Sequence, residues 1–216
     1  MPTLRPFRDY DEKDVINLYA YSGTLPVNKG TIVKIAGDGF RYDVEPIEML
    51  GNVGDFSPSN FVSQRYGVVP KVTVADATGN ALGMMLFDTR ETDENGYPLK
   101  YNPRKAAEME ACISGQAVPI VTRGTFLYSG VITGTAGAGN AIVAGNPCYV
   151  GAAGVISAWG TTSSILTGAA ATATGALVIT TQRPIGKFLG VAGAQNSGAL
   201  VGADGRAIAL VWLNFV

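Results

Sequence analysis

The chain has 216 residues, with 16 Lys and Arg against 17 Asp and Glu, and it contains no histidine. The balanced charge argues against a general nucleic-acid binder, because such proteins carry a basic excess. The lack of histidine excludes Ser-His-Asp and Cys-His catalysis and every histidine-ligated metal site. Charged residues make up only 15% of the chain, below the roughly 25% of an average soluble domain.

The first 14 residues predict an extended N-terminal arm, since they contain proline, are dense in charge and cannot bury a core of their own. Phe7 and Tyr10 would be its apolar anchors and need a surface on which to dock. The arm lacks the apolar stretch of a signal peptide, and no window of about 20 residues is continuously apolar. We therefore expect a protein without a membrane span that is made in the cytoplasm.

Residues 15–130 predict a β unit with long loops and one short helix. Its strands are expected at 15–21 and 31–35, followed by a hairpin of 72–75 and 81–87. The helix is predicted at about 103–113, because Asn102 can cap it, Pro103 suits its first position and Gly115 can end it.

Residues 131–216 predict a second β unit that is poor in charge and rich in Gly and Ala. The last 100 residues carry only five charges, with 17 Gly and 19 Ala. Short strands separated by glycine turns indicate a small barrel or sandwich. A surface with so few charges predicts contacts with partner subunits.

Two pairs of segments suggest that the β units are related. Residues 30–40 resemble residues 145–155, and the run Leu82-Gly83-Met84-Met85-Leu86 resembles Ile185-Gly186-Lys187-Phe188-Leu189. The run at 82–86 is followed by a further apolar strand at 118–128, and the run at 185–189 is followed by one at 207–215. The same order in both halves indicates an internal repeat.

Residues suited to catalysis or metal binding are few. Asp88, Glu91, Asp93 and Glu94 cluster near a tight turn at Asn95-Gly96, but the calcium-binding EF-hand spacing is absent, so we expect a solvated loop. Cys112 and Cys148 are too far apart for a CxxC motif and are expected to be free thiols. We therefore predict no enzymatic activity, no metal and no cofactor. Trp212 is expected in the core, whereas Trp159 is either a loop anchor or a contact residue.

The segments that carry a family resemblance are 5–18, 144–156, 183–192 and 207–213. Together they resemble the head decoration (cement) proteins of tailed bacteriophages, over most of residues 1–35 and 117–216. The resemblance implies small β-barrel or β-sandwich subunits that bind the outside of the expanded capsid, commonly as trimers, and stabilise it without enzymatic activity.

This resemblance implies two partners: the major capsid protein and further copies of the chain, which would form a homotrimer. We expect no nucleic acid and no membrane as a partner. The expected location is the capsid surface of the virion, after assembly in the host cytoplasm. Our mechanistic hypothesis is that residues 1–23 clamp a neighbouring subunit through Phe7, Tyr10, Ile16 and Tyr19, with Trp159 as a further contact candidate. The alternatives are another virion component (tail, fibre or knob protein) and a carbohydrate- or host-surface-binding module.

Overall fold

Short β-strands dominate the computed structural model, which describes residues 3–6, 11–36, 70–77, 80–132, 142–160, 162–165, 177–180, 182–191 and 207–215. The mainly β fold with one short α-helix in this part of the chain confirms the predicted fold class. The elements are β1 (Thr3–Pro6), β2 (Val15–Ile16), β3 (Ala20–Tyr21), β4 (Ile32–Ile35), β5 (Lys71–Val74), β6 (Gly83–Met85), β7 (Asp88–Thr89), α1 (Pro103–Glu108), β8 (Ala111–Cys112), β9 (Ile120–Val121), β10 (Arg123–Val131), β11 (Pro147–Val150), β12 (Ile156–Ser157), β13 (Thr162–Ile165), β14 (Leu177–Thr180), β15 (Gly186–Val191) and β16 (Ala207–Asn214).

The first barrel uses strands between residues 15 and 121. Its sheet has the order β2-β9-β6-β4-β5-β3. Because β2 and β3 belong to one stretch of chain, the sheet closes on itself, and the closing pair β3–β5 is parallel. Its interior is filled by apolar side chains, among them Val33, Val72, Met85 and Ile120.

The second barrel uses strands between residues 123 and 214. Its sheet has the order β1-β10-β16-β15-β11-β12. Ile132, directly after β10, forms a parallel bridge with Ser157 of β12 and so nearly closes the ring. Strand β1 lies outside this ring and pairs with β10.

The two barrels repeat one topology. Numbered along the chain, the five strands of each barrel follow the cyclic order 1-5-4-2-3, and strand 1 meets strand 3 in parallel. The registers match as well: Val33 pairs with Gly83 in the first barrel, and Cys148 pairs with Gly186 in the second. These are the residue equivalences that the sequence comparison of the two halves predicts.

Backbone hydrogen bonds outside the ladders repeat in the same way. The N–H of Gly30 donates to the carbonyl oxygen of Met85 at 2.8 Å, and the N–H of Gly145 donates to that of Phe188 at 2.7 Å. The N–H of Leu82 donates to Val33 and that of Ile185 donates to Cys148, at 2.8 and 2.9 Å. The two barrels therefore match in individual backbone hydrogen bonds as well as in the number and order of their strands.

One core joins the barrels. Four residues form a row on the outer face of the first barrel, one on each of three paired strands and one just after a fourth. All four are fully buried and belong to the same apolar cluster as the interior of the second barrel. We call it the buried row: Ala75, Ile32, Met84 and Val121. Burying a large aliphatic side chain contributes about 1.5–3 kcal/mol, so this contact makes a large contribution to stability.

Direct contacts show where the second barrel receives the first. A Cβ on Gly30 would lie 3.5 Å from both Leu4 and Tyr128, and a Cβ on Gly154 would lie 2.6 Å from the carbonyl oxygen of Ile32. The first strand of the second barrel, the strand β1 and the turn at 152–154 therefore form the receiving surface.

One predicted unit boundary lies inside a strand, and part of the predicted arm pairs with its own chain. The predicted division between residues 130 and 131 falls inside β10, which belongs to the second barrel because it pairs with β16. The predicted arm contains β1, which is extended but pairs with β10 of the same chain, with Leu4 buried. Residues 7–10, with Phe7 and Tyr10, lie outside the described residues.

The predicted hairpin of 72–75 and 81–87 is wrong. Strands β5 and β6 pair with β4 from opposite sides instead of with each other. Pairing with β4 satisfies the backbone of both strands inside the barrel, and this tertiary arrangement overrides the local turn signal.

The helix is shorter than the predicted 103–113. It begins as expected, with Pro103 at its first position and the Asn102 side chain accepting a hydrogen bond from the Lys105 N–H at 3.3 Å. It ends at Glu108 because Ala111–Cys112 is taken up by β8, which pairs in parallel with β7.

The close approach of strands at two equivalent glycines generates a stability prediction. A Cβ on Gly83 would lie 2.6 Å from the carbonyl oxygen of Val121, and one on Gly186 would overlap the carbonyl oxygen of Trp212. We expect Gly83→Ala and Gly186→Ala each to lower the free energy of unfolding by about 2 kcal/mol or more, as measured by urea titration.

Gly190→Ala is the matched control, because a Cβ there meets nothing within 4 Å. Equal effects at all three positions would contradict the register described for β6 and β15.

Candidate interaction surface

The outer face of the second barrel carries the counterpart of the buried row. Pro147 of β11 pairs with Lys187 of β15, and Lys187 pairs with Trp212 of β16. Trp159 continues the β11–β12 register opposite Pro147, because Ser157 pairs with Tyr149. Directly paired residues share a face of a sheet. We call this set the outer row.

The two rows differ in solvent exposure. Ala75, Ile32, Met84 and Val121 are each 0% exposed. In the outer row, Trp159 is 44% exposed, Pro147 and Lys187 are exposed and Trp212 is half-buried. The prediction that Trp212 lies in the core is therefore wrong: its neighbours Val211 and Leu213 point inward, and Trp212 occupies the opposite face of β16.

Apolar side chains continue beyond the outer row. Leu189 of β15, two residues beyond Lys187, is 48% exposed, and Val143 is 51% exposed. The turn that contains Val143 is fastened to β15 by the hydrogen bond between Gly145 and Phe188. An exposed apolar group of this kind on a barrel with few charges is typical of an interaction surface.

Trp159 is held in place by its neighbours. The Ser157 hydroxyl donates to the carbonyl oxygen of Trp159 at 2.8 Å and accepts from the N–H of Trp159 at 3.2 Å. The sequence left two roles open, loop anchor or contact residue. The main chain is anchored while the indole remains exposed, so this residue is pre-positioned for contact.

The other predicted site residues lie elsewhere. Ile16 is half-buried in β2 opposite Ile120, and Tyr19 packs against the core of the first barrel. Phe7 and Tyr10 lie outside the described residues. The described geometry thus places Ile16 and Tyr19 on one barrel and Trp159 on the other.

Sequence reasoning missed Pro147, Lys187 and Leu189 as surface candidates. The signal was present in the internal repeat, which aligns these three residues with Ile32, Met84 and Leu86. Only the structure shows that these three residues of the second half are exposed while their counterparts in the first half are buried.

The acidic loop serves the fold. One Asp93 carboxylate oxygen accepts hydrogen bonds from the N–H groups of Asn95 and Tyr97, both at 2.8 Å, and the other accepts from the Lys105 ammonium group. These bonds fasten the loop to α1. The Lys105 hydrogen bond is the largest cause that lowers the pKa of Asp93.

Neither a metal-binding cluster nor a membrane-spanning helix is found among the described residues. In that part of the chain, no group of three or more His, Cys, Asp or Glu side chains is placed to hold a metal ion. Within the same ranges, no helix has the length and apolar character that a membrane crossing requires.

Comparisons with known proteins return no relative: no protein-family model, no curated protein and no solved structure matches this chain.

The Asp93–Lys105 pair generates a pH prediction. Because the pKa of Asp93 is lowered in the folded state, its stabilising contribution is present above its unfolded pKa, near 4, and is lost as the pH falls through the folded pKa. We expect the stability difference between wild type and Asp93→Asn to shrink from about pH 5 to about pH 2. Urea titrations across this range measure it.

Glu108→Gln is the control, since its partner Arg104 is on an exposed face of α1. A difference for Asp93→Asn that stays constant on acidification would contradict the assigned ion pair.

Both cysteines are buried free thiols, which generates a reactivity prediction. Burial raises the pKa of Cys112 to about 11 and that of Cys148 to about 12. The thiolate is the reactive form, so both thiols should react with a disulfide reagent far more slowly in the folded protein than in urea. Rapid labelling of either cysteine under native conditions would contradict its placement.

Proposed function

We propose that the chain is a virion structural protein that binds the outside of a tailed-bacteriophage capsid as a decoration protein, acting as a homotrimer at the capsid surface. The observation that carries the proposal is the outer row, with the exposed apolar side chains of Trp159, Leu189 and Val143 in and beside it, on a barrel with very few charges. The proposal includes no enzymatic activity, no cofactor and no nucleic-acid partner.

The joined barrels support this role. A protein that reinforces a shell must transmit force between its contact surfaces without unfolding. The buried row fixes the two barrels to each other through one apolar core, so contacts made by either barrel are mechanically linked. Apolar burial contributes about 25 cal/mol per Å², and symmetric repetition of modest contacts multiplies their combined strength.

The proposed clamp on a neighbouring subunit involves fewer residues than the sequence predicted. Residues 3–6 are already paired with β10 of the same chain, so these residues are not a free strand for a neighbour. Phe7 and Tyr10 remain the proposed capsid anchors. Deleting residues 1–14 would also remove Leu4 from the core, so point substitutions give the cleaner test.

The test is co-sedimentation with expanded heads of the phage that encodes the chain, prepared without their decoration protein. We expect a variant carrying Phe7→Ala and Tyr10→Ala to bind at least about tenfold more weakly than wild type, because aromatic anchors dominate interface energies. The matched control carries Tyr97→Ala and Tyr101→Ala, two aromatic residues that are 71% and 77% exposed.

No binding of the wild-type chain to such heads would overturn the proposed function. Equal binding by both double variants would overturn the role of Phe7 and Tyr10 while leaving capsid decoration in place.

Glycan binding is the second candidate function, favoured by the exposed and pre-positioned Trp159. Sugar rings stack on such indoles. Specific retention on a glycan array that Trp159→Ala abolishes, together with no capsid binding, would support this alternative over capsid decoration.

A further inference from the structure

The internal repeat indicates what covers the outer row. Within one chain, the outer face of the first barrel docks on the second barrel. The same outer face exists on the second barrel, with the same register, and is exposed. We propose that this face docks on the first barrel of another copy of the chain, so that the contact inside one molecule is repeated head to tail between molecules.

One part of the receiving surface, the first strand of the barrel, also has a counterpart. In the second barrel it includes Tyr128 of β10, which is 0% exposed and lies against the Gly30 turn. The register of the first strands relates Thr125 to Val15 and Phe126 to Ile16, since these pair with the equivalent positions of β16 and β9. Beyond Ile16 the first strand is interrupted, because residues 17–19 lie between β2 and β3. The N–H of Val118, the counterpart of Ala209, donates to the carbonyl oxygen of Tyr19 at 2.9 Å, so Leu18 and Tyr19 together take the place of Tyr128.

Leu18 is exposed where its counterpart is covered. Its side chain is 45% exposed. The residues that would approach it in a second copy belong to the turn around Gly145, the counterpart of Gly30. A Cβ on Gly145 meets nothing within 4 Å, and Val143 in the same turn is 51% exposed.

Both halves of the contact are thus open in one chain. The donor surface is the outer row with the Gly145 turn, on the second barrel. The acceptor surface is the segment around Leu18, between β2 and β3 of the first barrel. Because donor and acceptor differ, the contact is heterologous and generates a ring when the rotation between copies closes. This inference deepens the self-association within the proposed function and depends on no contact with a capsid.

The test is the solution mass of the purified full chain, measured by light scattering over a concentration series. Wild type should form a defined oligomer of the 22.4 kDa chain. Trp159→Glu and Leu18→Glu should each weaken assembly at least about tenfold, because a charge buried in an apolar contact is costly. Tyr101→Glu is the matched control, since it adds the same charge at an exposed aromatic residue of the first half.

Mixing the two variants separates the proposed arrangement from a symmetric one. The Trp159→Glu chain keeps its acceptor surface and the Leu18→Glu chain keeps its donor surface, so the mixture should form a one-to-one dimer and nothing larger. Urea titrations of the separate variants should give unfolding midpoints close to that of the Tyr101→Glu control, which shows that all are folded.

Three results would overturn the inference: a wild-type chain that stays monomeric at every concentration, an oligomer that Trp159→Glu leaves intact, or a mixture that remains monomeric. Capsid binding is a separate readout. Self-association through these surfaces without binding to heads would overturn the proposed function and leave this inference standing.

Discussion

The contact between the buried row and the second barrel is the constraint on which the architecture depends. Ile32, Met84 and Val121 lie on the outside of a barrel, where a free domain would carry polar residues, yet they are fully buried. Covering them requires the second barrel and strand β1, whose Leu4 reaches the Gly30 turn. Fold, stability and the exposed outer row all follow from one barrel docking on its own repeat.

The two barrels share one strand order but differ in the connections between their strands. The β4–β5 connection of the first barrel spans residues 36–70, whereas its counterpart in the second barrel is the short turn at 151–155. Conversely, the β12–β15 connection of the second barrel includes the pair β13–β14, and its counterpart in the first barrel is short. The two units are therefore alike in their strand order and unlike in the lengths of these connections.

Part of this account could be predicted from the sequence. Glycine turns and short apolar runs indicated the β class, and the aligned pairs Val33 with Cys148 and Gly83 with Gly186 match the observed registers. The predicted hairpin failed because β4 lies between β5 and β6, a long-range pairing that no local turn signal reports. The outer row was missed for a similar reason: Pro147 and Lys187 are unremarkable in sequence and gain meaning only when their counterparts are seen to be buried.

The most direct test of the central claim, that one docking surface is used twice, is amide hydrogen exchange of the full chain at low and high protein concentration. The account predicts that exchange slows with concentration at residues 16–19, 142–149 and 186–191, while residues 95–101 exchange equally at both concentrations. Exchange that is independent of concentration at all of these segments would contradict it.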